Sequence, residues 1–185
     1  MKSDDLPARL ARDLDATFPA LVSDHVDRLY SIALRLIGDA RDAEEITSDA
    51  FMRAHRAMAS YPPERIRDLD LRPWLTTIVL NLARNHARRR RHLTAVIDDS
   101  HVAPTATPEA TSAHRAETEH WAALLAELPA RYREPVVLRY VDDLDYDEIA
   151  RALDRPAATI RSQVQRGLVL LRAAHDAATR RELTA

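Results

Sequence analysis

Between Asp145 and Arg172 the chain reads DYDEIARALDRPAATIRSQVQRGLVLLR. Thr159, Arg161, Ser162, Gln163, Gln165 and Arg166 within it are side chains that hydrogen-bond to base edges and phosphates. They alternate with Ile160, Val164, Leu168 and Leu171 at helical spacing, which leaves the polar set on the outer faces. Asp145, followed three residues later by Glu148, is a capping box, and Ile149, Ala150 and Leu153 continue one face, so a short helix starts near Tyr146. It stops around Asp154, Arg155 and Pro156. Aspartate tolerates a left-handed turn, and the residue before a proline is pushed out of the helical region. Pro156 then suits the start of the next helix. The pattern is a helix-turn-helix whose second helix could read DNA. On spacing alone, an ordinary helical hairpin with a solvated polar face fits equally well.

Composition narrows the chemistry. The chain has 185 residues, two glycines (Gly38 and Gly167), no cysteine and a formal net charge of −2. Alanine, leucine and arginine dominate, which predicts an all-α protein of one ordinary domain or two small ones. Without cysteine there is no disulfide, thiol nucleophile or cysteine-bound zinc, and the N-terminus lacks the apolar core of a signal peptide. No run reaches transmembrane length, so the expectation is a cytoplasmic protein with no membrane insertion. The net charge hides an uneven distribution: RNHARRRRH from Arg84 to His92 carries five arginines and no acid, while Asp98 to Glu119 carries five acids against Arg115 alone. The histidine pairs His86/His92 and His114/His120 are six apart, which does not bring them onto one face at metal-ligand spacing. With no phosphate-binding glycine loop either, the expectation is no enzyme, no catalytic residue, no metal, no cofactor and no small-molecule substrate.

Two helical modules are predicted. In the first, spanning 21–92, Val26, Leu29, Tyr30, Ala33, Leu34 and Ile37 line a helix that Gly38 caps, and Asp42 with Glu45 starts a second helix bearing Ile46, Ala50, Phe51 and Ala54. A loop of proline and charge, YPPERIRDLDLR, leads to Pro73, which opens a third helix with Trp74, Leu75, Ile78, Val79 and Leu82 at core spacing. Residues 93–119 read as an acidic, flexible tether that would reach at most about 90 Å when extended. The second module, 120–174, opens with Trp121, Leu124, Leu125 and Leu128. It continues through Tyr132, Val136, Val137 and Tyr140 into the helix-turn-helix. Residues 1–20 form an N-terminal extension and 175–185 a tail.

Taken together, these residues resemble a bacterial RNA polymerase sigma factor of the small extracytoplasmic-function type. LYSIALRLIGDARDAEEITSDAFMRAHRAM followed by RPWLTTIVLNLARNHARRRR is similar to the family's region two, and LAELPARYREPVVLRYVDDLDYDEIARALDRPAATIRSQVQRGLVLLR to its region four. Both stand in the family's order and span about Leu29 to Arg172.

The resemblance implies a promoter-specificity subunit with core RNA polymerase and promoter DNA as partners. It also brings in the anti-sigma factor that restrains many relatives. The helix from Glu45 to Met58 matches the core-binding motif, so Asp42, Glu45, Asp49, Phe51 and Arg53 would meet the polymerase. The third helix would meet the −10 element through Trp74, Asn81, Arg84, Asn85, Arg88 and Arg89, the two amides sharing one helix face. The recognition helix would enter the −35 major groove. There Arg161, Gln163 and Gln165 would read bases, while Thr159, Ser162 and Arg166 hold phosphates. Thr76 and Thr77 stand where an aromatic or basic residue is common in the family, and Asp154 replaces its usual turn glycine. The competing reading is a stand-alone helix-turn-helix regulator, which leaves the Arg-Pro-Trp-Leu helix and the core-binding motif without a role.

Overall fold

A chain this rich in alanine, leucine and arginine finds helix its least costly regular backbone. In the computed structural model, which describes residues 6–94 and 112–182, every regular element is an α-helix. In order they are α1 Leu6–Arg12, α2 Leu14–Ile37, α3 Ala40–Ala59, α4 Pro63–Arg67, α5 Leu71–Thr94, α6 Ser112–Glu127, α7 Ala130–Tyr140, α8 Tyr146–Leu153 and α9 Ala157–Glu182. Among the described residues they divide into two compact units, one of 6–33 with 42–94 and one of 34–41 with 112–182.

Several boundaries differ from those expected. The N-terminal extension holds α1 and the first turns of α2. Here the Asp13 carboxylate caps α2 by accepting from the Ala16 amide at 3.0 Å. The loop of proline and charge contains α4, which keeps Ile66 buried. Residues 112–119, expected in the tether, belong to α6, and the remainder of that tether from 95 to 111 lies outside the described residues. The expected tail continues α9 as far as Glu182, because Ala173, Ala174, Ala177 and Ala178 favour helix and Trp121 stacks on His175, ring centroids 5.2 Å apart and nearly parallel.

In the first unit Leu29, Ile32, Ala43, Ile46, Ala50, Leu75 and Val79 are buried, while Val26 and Tyr30 sit at the edge of the core. Thr76 is buried as well. Its hydroxyl donates to the Arg72 carbonyl at 2.9 Å and accepts from Arg28 Nη1 at 3.0 Å, so it braces α5 against α2.

The second unit packs Leu124, Leu125, Leu128, Val136, Val137, Leu138, Ile149, Ile160 and Val164. Tyr140, expected in this core, ends α7 and is 60% exposed. Its neighbours Asp142 and Asp143 turn the chain away, Asp143 in left-handed backbone at φ 53°. The predicted capping box is present: Asp145 Oδ1 accepts from the amides of Asp147 and Glu148 at 2.9 and 2.8 Å, and Glu148 accepts from the Asp145 amide at 2.7 Å. Asp154 ends α8 in left-handed backbone, φ 52° and ψ 52°.

At Gly167, α9 lies close against α7. A Cβ there would lie 2.6 Å from Val136 Cγ2 and 3.2 Å from the Tyr132 carbonyl oxygen. Gly167→Ala is therefore expected to destabilise the second unit by about 1–3 kcal/mol through overpacking. Asp154→Val should cost about 1–2 kcal/mol and Asp154→Gly nothing, since only glycine occupies that backbone freely. Urea unfolding followed by circular dichroism measures all three.

Candidate nucleic-acid interface

In α9 the residues Ile160, Val164 and Gly167 face inward. At 100° per residue this turns Ser162, Gln165 and Arg166 outward, with Arg161 on the flank, and all four are exposed. Arg161 lies over the Tyr146 ring at 5.4 Å, and Arg139 lies against the same ring at 5.6 Å. The Ser162 hydroxyl donates back to the Thr159 carbonyl at 2.9 Å, which leaves its lone pairs as acceptors. Thr159 is half-buried.

Gln163 stands apart from this set. It is half-buried, and its Oε1 accepts from Arg155 Nη1 at 3.2 Å. The same guanidinium donates through Nη2 to Glu134 Oε2 at 3.0 Å and through Nη1 to the Arg131 carbonyl at 3.4 Å. Arg155 thus ties α7, the turn and the recognition helix together, and Gln163 is one of its anchors. Next to it, burial pushes the Arg133 guanidinium below its usual pKa, which the charge of Glu134 partly offsets, and Arg133 Nη1 donates to the Ala126 carbonyl at 3.1 Å.

Along α5, Trp74, Asn81, Asn85 and Arg88 fall within an arc of about 60°, a strip about 20 Å long. Asn81, Arg88 and Arg89 are exposed, while Trp74, Arg84 and Asn85 are half-buried. Asn85 Oδ1 accepts from Arg88 Nη2 at 3.3 Å. Trp74 meets the Tyr61 ring edge-on at 6.3 Å, and the Arg65 guanidinium carbon lies over the same Tyr61 ring, 3.8 Å from its centroid. Neither Tyr61 nor Arg65 was singled out from sequence, although an aromatic and a cation four apart beside a tryptophan helix was the available signal.

Asp42 behaves differently from the other acids of α3. Its carboxylate pairs with Arg90 Nη1 at 3.2 Å and His86 Nε2 at 3.5 Å, so it holds α3 to α5. Glu45 and Arg53 are exposed and Asp49 half-buried, whereas Phe51 is buried and edge-on to Phe18 at 6.4 Å. Beside them a groove of about 650 Å³ runs between α2 and α3, lined by Phe18, Val22, Val26, Phe51, Met52 and His55. Met52 is 46% exposed in it. A second, smaller groove of about 330 Å³ has Tyr132, Val169 and Leu170 beside Gln165 and Arg166, with Val169 70% exposed. Exposed apolar surface of this kind marks contact sites for other proteins. Both grooves escaped sequence reading because each is shared by two helices and formed only by their packing.

Among the described residues, no group of three or more histidine or acidic side chains is placed to hold a metal ion. In the same residues, no helix is long and apolar enough to cross a membrane. Glu134→Ala, which leaves the Arg155 charge partly buried without its partner, is expected to cost about 3 kcal/mol. That is the low end for a broken buried pair, because Arg155 still touches solvent. A urea titration compared with wild type reads it.

The chain matches the family model for Sigma-70 region 2 over residues 21–93 and that for Sigma-70, region 4 over residues 120–171. It is 33% identical over 156 residues to the ECF RNA polymerase sigma factor SigE of Mycolicibacterium smegmatis, covering 82% of this chain and 59% of SigE. It is 30% identical over 141 residues to the ECF RNA polymerase sigma factor EcfG of Rhodopseudomonas palustris, covering 76% and 75%. Its fold is similar to that of CnrH, solved in complex with the cytosolic domain of CnrY, with a TM-score of 0.70 and 25% identity over 94% of this chain and 97% of that one.

Proposed function

Because the chain belongs to the sigma-70 family of RNA polymerase sigma factors, in its ECF group, we propose that it joins core RNA polymerase, reads the −35 and −10 promoter elements and starts strand opening. The observation that carries this reading is the pair of polar strips, one on α5 and one on α9, each on its own helical unit in the family's order.

On α9, Arg161 and Gln165 contact base edges, and Thr159, Ser162 and Arg166 hold phosphates and set register. Gln163 serves the fold of this site rather than the bases, since Arg155 already holds its oxygen. On α5, Asn81 and Asn85 meet the separated −10 strand, and Arg84, Arg88 and Arg89 neutralise its phosphates. Duplex opening costs about 1.4 kcal/mol per stacked step, and a protein without a nucleotide-driven motor offsets it by capturing bases and backbone.

On α3, Glu45, Asp49 and Arg53 face the polymerase, Met52 supplies apolar contact, and Phe51 packs beneath them. Opposite charges orient such a surface and apolar burial holds it. Asp42 supports this helix from behind through α5. The working domains are the two helical units that carry these strips, joined by the acidic segment between α5 and α6. The protein acts in the cytoplasm, where the polymerase is, without catalysis, cofactor or small-molecule substrate of its own. An anti-sigma factor is a further partner, a reading supported by the sigma factor RpoE of Bartonella quintana, similar in fold and solved with the anti-sigma factor NepR.

A pull-down with core polymerase followed by run-off transcription from a promoter library tests the reading. A stable complex and promoter-dependent transcripts are expected. Absence of both overturns it, and operator binding without polymerase favours a stand-alone regulator. Arg161→Ala with Gln165→Ala should lower −35-dependent transcription at least about tenfold while core affinity holds, each lost bidentate contact costing about 1–3 kcal/mol. Charge reversal at Glu45 and Asp49 should do the opposite, weakening the polymerase complex and sparing binding to −35 duplex.

A further inference from the structure

Tyr146 is the first residue of α8, and the capping box before it fixes where it stands, since Asp145 accepts from the amides of Asp147 and Glu148 while Glu148 bonds back to the Asp145 amide. Its ring is half-buried and meets two guanidiniums, with the Arg139 Cζ 5.6 Å from the centroid and the Arg161 Cζ 5.4 Å from it. Both distances lie within the reach of a cation–π attraction. The two cations differ in what else holds them. Arg139 is half-buried, donates through Nη1 to the Leu144 carbonyl at 3.0 Å and lies 3.6 Å from the Asp143 carboxylate. Arg161 is exposed, and among the described residues no hydrogen bond or ion pair engages it. The Tyr146 ring is therefore the contact that orients Arg161. Among the same residues the Tyr146 hydroxyl makes no hydrogen bond, so the face of the ring carries the interaction.

An arginine reads a base edge through two parallel donors, so its power to discriminate depends on where the guanidinium plane lies. A long side chain with no anchor loses much of that power. Facing the right base pair it gives up rotamer freedom on binding, and facing the wrong one it swings to a phosphate and recovers a bond. A ring beside the guanidinium opposes both, because it orders the side chain before DNA arrives and disfavours the swing at a mismatched pair. We propose that Tyr146 is a specificity-determining residue of −35 recognition: it holds Arg161 over its ring and so sharpens the choice made at one base pair. The proposal rests on the reading of α9 as the −35 face. The hydrogen bonds of Arg161 supply the discrimination, and Tyr146, which acts through Arg161, is a positioning residue.

The test uses holoenzyme assembled with the full chain and promoters in which each −35 base pair is varied through all four. Arg161→Ala should lower discrimination at one base pair by about tenfold, the size of a lost bidentate contact. Tyr146→Leu should lower it at the same base pair by about threefold, the size of one exposed cation–π contact, with the other positions and core affinity at wild-type values. Tyr146→Phe should keep the wild-type choice, and Tyr146→Leu added to Arg161→Ala should change nothing further. Replacing Tyr146 by pentafluorophenylalanine, which keeps the outline of the ring and reverses its quadrupole, should match Tyr146→Leu and reads the same contact if the leucine variant unfolds. Discrimination that falls in Arg161→Ala but survives the fluorinated ring overturns the proposal alone. So does a further loss in the double variant, or an equal loss on every promoter, the mark of a packing role or a phosphate contact. If Arg161→Ala alters the choice at no base pair, the −35 role of Arg161 fails and the proposal with it.

Discussion

What α9 can present depends on how near it comes to α7, and that distance is set by the missing side chain at Gly167. With a Cβ 2.6 Å from Val136 excluded, the two helix backbones touch, and the small second unit gains a rigid crossing it could not obtain from a core of its size. The Arg155 guanidinium completes the arrangement by bonding Glu134 of α7, the Arg131 carbonyl and Gln163 of α9 at once. Close packing fixes the distance between the helices, and this polar bridge fixes their rotation. Arg161 and Gln165 owe their orientation to both.

The same division of labour recurs in the first unit. Asp42, Thr76 and Arg28 are polar residues used to hold helices together, whereas Glu45, Asn81, Arg88 and Arg89 are left toward solvent. A small helical body has too little apolar interior to define its geometry by burial alone, so some charge is committed to bracing. The rest, on neighbouring turns of the same helices, remains for partners.

The all-α class, the helix-turn-helix and its caps were legible in the sequence because their signals are local. A capping box, a proline and a left-handed aspartate act within a few residues, and Asp145, Pro156 and Asp154 stand as read. The family was legible for a related reason, since its two motifs lie on continuous helices. What was not legible depends on tertiary neighbours. α1 and α4 are too short to show periodicity and exist because they pack on each other. Asp42 and Gln163 are legible as polar side chains, but their bonds to His86, Arg90 and Arg155 are not. Tyr140 keeps core spacing but falls on the final turn of α7, where the chain leaves the interior.

One feature of α9 reaches beyond recognition. It is a single helix of 26 residues, about 39 Å long, pinned near one end by the turn and near the other by the Trp121–His175 stack. A rod fixed at two points cannot tilt about either, so the exposed turns between Arg161 and Arg172 keep one orientation on the second unit.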